Sequence, residues 1–422
     1  MISIELIREE PNLIQKKLSL KDNSISLDLI LQLDKSYRAN LSAVNVLRSK
    51  RNKVSEEIAK ARKSGNTADI SIKAMRKVGD EIKSLEEKAS ELKIDLEIQL
   101  LKLPNLPHDS VPRGKDQSGN EIVREWGEIN EKGFQIQSHL ELGESLNLFD
   151  FERGSKISGS GFPLYIGKGA RLERALINYM LDIQTDKHGY TEIFPPYLVK
   201  PMAPKTVGQL PKFSEDMYYS EKDDLWLIPT AEVPVTNIHT DEILLEDQLP
   251  ICYSAYSACF RREAGSYGKD TRGLLRVHQF NKVELVQFVK PEESYDILEF
   301  LTGHAEFILQ SLGLHYRVVE LCTGDLSFSA AKCYDLEIWA PGEAKWLEVS
   351  SCSNFEDFQA RRGNIRYRRN TDKKVKFVHT LNGSGLATPR LMVALLETYQ
   401  NADGSISIPK PLQPYVGTEV IN

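Results

Sequence analysis

Residues Phe260–Glu284 read FRREAGSYGKDTRGLLRVHQFNKVE: a strand-like start, a glycine-rich charged loop, and a strand-like return. Arg261 and Glu263 stand two apart, so on a strand they project from one face, where a guanidinium holds a phosphate and a carboxylate takes an adenine amino group. Arg272 and Arg276 lie on the far side of the loop. Phe280 offers an aromatic face to a base, and Glu284 adds a carboxylate able to hold an ammonium. The set describes a nucleotide pocket with an amine site beside it. The alternative, a solvated hairpin whose charges pair with one another, is the ordinary fate of a charge-rich loop.

The same stretch resembles motif 2 of the class II aminoacyl-tRNA synthetases, and RREAGSYGKDTRGLLRVHQFNKVE is similar to the wording of the seryl-tRNA synthetases. The resemblance implies ATP as a substrate, contacted by Arg261, Arg262, Glu263, Arg272, Arg276 and Phe280. It also implies an α+β catalytic domain. Residues from about 170 onward agree, because helical stretches alternate with short strand-like runs without a regular βαβα rhythm. That order favours an antiparallel sheet flanked by helices.

Four downstream and upstream segments extend the likeness. In GARLERALINYMLDIQTDKHGYTEIFPP (169–196), Leu172, Ala175, Leu176, Tyr179, Met180 and Ile183 recur at helical spacing and a breaker then a strand follow. The segment resembles motif 1, whose helix and strand, with Pro196, build a dimer interface, and a homodimer binding tRNA across subunits is what the family implies. LIPTAEVPVTN places Thr230 and Glu232 two apart, a hydroxyl and a carboxylate for a small polar ligand if the segment is a strand. It matches the family's serine-binding segment, Thr230, Ala231 and Glu232. By the same resemblance Arg261 holds the substrate carboxylate, Glu284 its ammonium, and Asn382 and Ser384 read its hydroxyl. Such a pocket rejects alanine, whose binding would leave buried polar groups unpaired.

WLEVSSCSNF carries Glu348 and Ser351, oxygen ligands of the kind magnesium takes when it is shared with phosphates. Three residues apart, they face opposite sides of a flat strand. Either the strand ends or bulges there, or only one of them touches the metal. The resemblance assigns Glu348, Val349, Ser350 and Ser351 to ATP, with Glu348 and Ser351 on magnesium. TLNGSGLATPRLMVALLETYQ resembles motif 3: Thr388 is a helix N-cap, Pro389 fits the first turn, and an amphipathic helix follows. Arg390, a cation in a first turn, opposes the helix dipole and makes sense where an anion binds. In the family this arginine holds the γ-phosphate. Pro389 stands where many relatives have glycine.

Toward the N-terminus, Leu33, Tyr37, Asn40, Val44, Leu47, Arg51, Val54, Ile58 and Ala61 follow alternating steps of four and three. After KSGNTAD the spacing resumes at Met75, Val78, Ile82, Leu85, Ala89, Leu92, Leu96, Gln99 and Leu103. Two helices joined by a short link make an antiparallel coiled-coil arm, about residues 27–103. Residues 33–63 hold nine Lys or Arg against three acids, a net of +6 in a chain of net −6, which leaves −12 for the rest. Residues 73–103 balance seven basic side chains against seven acidic ones, so one helix is suited to lie along phosphates. In the seryl family this arm grips the long variable region of its tRNA. The basic positions expected at the nucleic acid are Arg38, Arg48, Lys50, Arg51, Lys53, Lys60, Arg62 and Lys63. PNLPHDSVPRGKDQSG (104–119) then stops the helix, and the expected division is an N-terminal tRNA-binding domain, 1–110, and a catalytic domain, 111–422.

With 422 residues, 41% hydrophobic and 27% charged, the composition is that of an ordinary globular chain. MISIELIREE lacks the basic then apolar run of a secretory signal and no stretch approaches 18 uninterrupted apolar residues, so a cytoplasmic protein without a membrane span is expected. Five cysteines without a CxxC pair disfavour both a disulfide framework and a cysteine-rich zinc site, and read as reduced and mostly buried. GFPLYIGKG (161–169) has five residues between its glycines and no Ser or Thr after the lysine, and so fails as a P-loop. The resemblance implies serylation of tRNA(Ser), and of tRNA(Sec) where present, through a seryl-adenylate. Two rivals are a relative that loads a carrier protein and an inactive RNA-binding scaffold. The basic arm speaks against the first. Retention of Arg261, Glu263, Glu284, Glu348 and Arg390 speaks against the second.

Overall fold

The computed structural model describes residues 1–63, 69–129, 131–264 and 272–422, without the side chains of 61, 62 and 69–72. Contacts divide the chain into two units, Ile2–Pro104 and Asn105–Asn422 with Met1.

In the first unit the four-three spacing becomes two long helices, α1 (Asp28–Lys63) and α2 (Asp69–Leu101). Val44, Ile82, Ala89 and Leu96 are buried, and Leu47, Val54, Leu85 and Leu92 are half-covered, so the predicted stripes are the faces that meet. Arg51 occupies a seam position yet is exposed, since a guanidinium on a long stem turns out to water. Arg48 reaches Glu86 on the other helix at 2.6 Å, while Arg38 and Arg8 both reach buried Asp34, at 2.8 and 3.1 Å. No described helix is long and apolar enough to cross a membrane.

The second unit carries an eight-stranded sheet: β1 (Glu121–Trp126), β2 (Thr191–Ile193), β3 (Ile251–Phe260), β4 (Gln279–Val289), β5 (Tyr316–Glu320), β6 (Lys332–Ala340), β7 (Lys345–Asn354) and β8 (His379–Ala387). The order is β1-β5-β6-β7-β8-β4-β3-β2, and every pair is antiparallel except β2 with β3. The helices that matter for the site are α3 (Gly167–Asp182), α4 (Glu232–Thr236), α5 (Ser294–Ser311), α6 (Phe358–Gly363) and α7 (Thr388–Tyr399).

Alternation along β4 sorts the sheet's two faces. Val283, Leu285 and Val289 enter the main core with Leu298 and Leu301 of α5, Leu391 and Leu395 of α7, and Leu172, Leu176 and Met180 of α3. The intervening Val286 and Phe288 enter a smaller core with Val235 and Ile365, while Phe280, Lys282 and Glu284, on that same face, line an open cleft. A slip of one residue would bury the charges and expose the core, which fixes the register. All five cysteines are free, four of them buried.

Candidate active site

The cleft on the sheet is about 580 Å³, within the range of small-molecule sites. A larger hollow of about 880 Å³ runs along α1, lined by Arg38, Asn45, Lys50 and Lys53 among others, but it is a shallow groove built on a single helix. The expected site residues converge on the cleft, where Arg261, Glu263, Arg276, Phe280, Glu348, Val349, Ser350, Ser351 and Arg390 meet Thr230, Glu232, Glu284, Asn382 and Ser384. Three expected residues stand outside the lining. Arg262 turns its guanidinium over Tyr218, Ala231 is buried in the smaller core, and Arg272 is exposed. The loop tip, residues 265–271, lies outside the described residues.

Arg261 and Glu263 do not owe their placement to a strand face. Strand β3 ends at Phe260, and Glu263 takes a left-handed backbone, φ +50°. A non-glycine residue there is uncommon and strained, which points to a shape imposed by its surroundings. Glu263 is ion-paired with Arg276 across the foot of the loop. Arg261 donates Nε to the Pro229 carbonyl at 3.3 Å and lies 5.0 Å from the Phe280 ring centroid. Both contacts hold a guanidinium in place without neutralising it.

The segment around Thr230 is likewise not a strand: Glu232 opens the five-residue helix α4. Thr230 Oγ1 donates to Glu284 Oε2 at 2.9 Å and accepts from the Glu232 amide at 3.2 Å, so one hydroxyl ties the two carboxylate residues together. Lys282, two positions before Glu284 on β4, contacts the Glu284 carboxylate. This lysine was legible from the two-residue period and was missed. Ser384 on β8 is register partner to Glu284, and Asn382 sits two residues away on the same face. Burial, and next the neighbouring Glu284 charge, push the Glu232 carboxyl up to about 7.

Strand β7 carries a bulge between Glu348 and Ser351. Its register with β6 slips between Leu336 and Glu337: Glu348 pairs with Glu337, Ser350 with Leu336, and Ser351 with Asp335. The extra residue is Val349, a bulge that brings Glu348 and Ser351 onto one face. Asp335, opposite Ser351 and unnoticed in the sequence, is held well above the usual carboxylate range by burial and then by the Glu348 charge. Asp335, Glu348 and Ser351, with Glu337 beside them ion-paired to Arg317, thus share one face, a hard-oxygen set of the kind magnesium takes.

Helix α7 begins at Thr388 with Ala387 as N-cap, not Thr388. The Thr388 hydroxyl instead donates to Glu173 on α3, with the Asn281 carbonyl 3.1 Å away, burying what would have been a cap. Arg390 in the first turn donates to the carbonyls of Leu275, at 3.1 Å, and Glu348, at 2.9 Å, with the Glu348 carboxylate at 3.6 Å. It braces the loop foot and β7 at once.

Among the described residues, buried His139 and Glu397 with half-buried Glu343 have the spacing of metal ligands. They form a bracket. His139 Nε2 accepts from the Leu274 amide at 3.3 Å, which leaves the proton on Nδ1, facing Glu397 at 3.2 Å. Glu397 is filled by the amides of His139, Gly342 and Glu343. Gly273 allows the close approach: its φ is +58°, and a Cβ would sit 2.2 Å from His139 Nε2.

Comparison with known proteins gives one answer over the whole length. Residues 1–107 match the family model described as the seryl-tRNA synthetase N-terminal domain, and 213–399 match the tRNA synthetase class II core domain (G, H, P, S and T). The serine--tRNA ligase of Chloroherpeton thalassium is 53% identical over 426 residues, covering 100% of both chains. The seryl-tRNA synthetase of Pyrococcus horikoshii, solved with ATP, is 42% identical with a TM-score of 0.93 and covers 100% of this chain and 99% of its own. The cytoplasmic serine-tRNA ligase of Naegleria fowleri, solved with AMP, is 32% identical with a TM-score of 0.88 and the same coverage.

Proposed function

This chain belongs to the seryl-tRNA synthetases and joins serine to tRNA, and from that premise we propose that it works through a seryl-adenylate formed in the cleft around Arg261. The observation that carries the reading is convergence: a guanidinium, an aromatic face, two carboxylates in different electrostatic states and a first-turn arginine, drawn from four separated segments, line one cleft. Adenine stacks on Phe280, with Glu263 on its amino group once Arg276 turns to phosphate. Arg390 takes the γ-phosphate. Arg261 lies between the α-phosphate and the serine carboxylate.

The charges suggest a division of labour between the two acids. Glu284 already has Lys282 and the Thr230 hydroxyl, whereas the side-chain hydrogen bonds to Glu232 come from the amides of Gln359 and Asn382. The uncompensated carboxylate attracts the ammonium of serine, and the Glu284 group, with Asn382 and Ser384, reads the hydroxyl. This moves the ammonium, first expected at Glu284, to Glu232. A carboxylate oxygen of serine then attacks the α-phosphorus in line, the bond to the β-phosphate breaks, and pyrophosphate leaves. Arg261 and Arg390 face the charge that spreads over the phosphates, already positioned by backbone carbonyls. A hydroxyl of the terminal ribose of tRNA next attacks the acyl carbon, and AMP departs. Glu348 and Ser351 would hold magnesium, which supplies charge neutralisation for the bound triphosphate.

By the same family argument the enzyme is a cytoplasmic homodimer, its arm, α1 and α2, gripping tRNA(Ser) across subunits and tRNA(Sec) where present. The test is amino-acid-dependent exchange of pyrophosphate into ATP with magnesium and without tRNA, across all twenty amino acids. Exchange with serine alone is expected. Exchange with none would favour the scaffold reading, and exchange with another would mean the pocket around Thr230 and Glu232 is misassigned.

The ionisation of Glu232 adds a pH dependence. The ligand's ammonium meets the carboxylate form, so below about pH 7 the carboxyl must first lose its proton, and the KM for serine is expected to rise about tenfold per pH unit. Measured from pH 5.5 to 8, a flat serine KM would remove Glu232 from the ammonium site.

A further inference from the structure

Gln359 on α6 does not line the cleft, yet its amide is wired into it. The residue is 1% exposed. Its amide nitrogen lies 2.6 Å from Glu232 Oε1 and 3.5 Å from the Val207 carbonyl oxygen, and its amide oxygen accepts from Thr380 Oγ1 at 2.7 Å. Two acceptors crowd one end of the amide, so that end must be nitrogen, and the Thr380 hydroxyl then has an oxygen to donate to. The orientation is set by three neighbours on different elements. A relay results, running from Thr380 on β8 through Gln359 to the Glu232 carboxylate.

Glu232 faces Glu284 and Lys282 from β4, Asn382 from β8 and Gln359 from α6. Lys282 is committed to Glu284, so the contacts that fix the direction of the Glu232 carboxylate are neutral amides. A short helix of five residues gives that side chain little support of its own. We propose that Gln359 is a positioning residue for serine binding: its amide occupies one oxygen of Glu232 and aims the carboxylate at the ammonium of the amino acid. The proposal rests on Glu232 as the ammonium site. It extends that site to a residue that touches no substrate and lies 127 positions away in the chain. Removing the amide has two effects. The carboxylate loses its direction, and its charged form loses a donor, so the proton is held to higher pH.

The experiment is Gln359→Met, apolar and of similar length, in the full-length enzyme, with serine and ATP KM values from pyrophosphate exchange. The serine KM is expected to rise about ten- to hundredfold, the span of one hydrogen bond to a charged group, while the ATP KM stays within about twofold. The steep limb of the serine pH profile should move to higher pH. Combined with Glu232→Gln, Gln359→Met should add almost nothing, because it acts through the carboxylate already removed. A serine KM within twofold of the native value, serine and ATP KM values rising together, or full multiplication of the two effects would each overturn the proposal. Glu232→Gln with a native serine KM would remove the underlying assignment and the proposal with it. An impaired Glu232→Gln beside a native Gln359→Met would reject Gln359 alone. Should Gln359→Met fail to fold, Thr380→Val keeps the volume and removes the hydroxyl that orients the amide. A severalfold rise in serine KM with unchanged ATP KM supports the relay, and an unchanged serine KM overturns it.

Discussion

Arg261→Ala is expected to lower serine-dependent pyrophosphate exchange about 10³-fold. Its guanidinium is held by the Pro229 carbonyl and the Phe280 ring, neither of which carries a charge. On the proposed reading the side chain serves both the serine carboxylate and the α-phosphate. Two charge-assisted contacts at about 2 kcal/mol each amount to about 4 kcal/mol, close to three powers of ten in rate. Arg261→Lys should recover little, because a single ammonium cannot bridge two anions as a planar fork does. The cost should appear mainly in kcat, since the charge on the phosphates grows toward the transition state. If exchange fell less than tenfold while the variant kept the native melting temperature, Arg261 would be a structural strut and the reacting centre would have to be sought nearer Arg390.

The second large effect concerns tRNA and should leave the cleft untouched. Replacing Lys50, Arg51 and Lys53 together by Glu is expected to lower kcat/KM for tRNA charging about 10²- to 10³-fold, with exchange in the absence of tRNA within twofold of native. All three are exposed on α1, and two of them line its shallow groove. Arg38 and Arg48 are already engaged by Asp34 and Glu86 and would have to exchange partners first. Lys60 and Lys63 are also exposed, while the side chain of Arg62 lies outside the described residues. Each lost phosphate contact should also flatten the dependence of binding on salt, by a slope of about 0.7 to 0.9. Charging within threefold of native would place the tRNA on another surface. Loss of charging and exchange together would mean that the substitutions damage the fold.

Much of this was legible before the fold. The alternating four-three steps predicted α1 and α2 because a helix repeats every 3.6 residues whatever surrounds it, and Val44, Ile82 and Leu96 are buried where that period puts them. The stripe on α3 was read the same way, and Leu172, Leu176 and Met180 are fully buried. Strand logic was less secure at strand ends. Thr230 and Glu232, and Arg261 and Glu263, were assigned common faces from a spacing of two, but β3 stops at Phe260 and Glu232 begins a helix. Both pairs still line the cleft, for reasons of loop path. Thr388 looked like a cap because its type favours capping, and Glu173, more than two hundred residues earlier, took its hydroxyl instead.

Amino-acid order alone carries the family, the two helices with a basic excess on the first, and the types of residue the chemistry needs, because these depend on local period and on side-chain chemistry carried wherever the chain goes. Tertiary structure decided which of those residues act together. The bulge at Val349 turned Glu348 and Ser351 to one side, Lys282 was matched to Glu284 and left Glu232 without a cation of its own, and Gln359 was brought onto Glu232 from 127 residues away. Each of these depends on strand register and on the close approach of distant segments. A sequence constrains those only through the packing of the whole core.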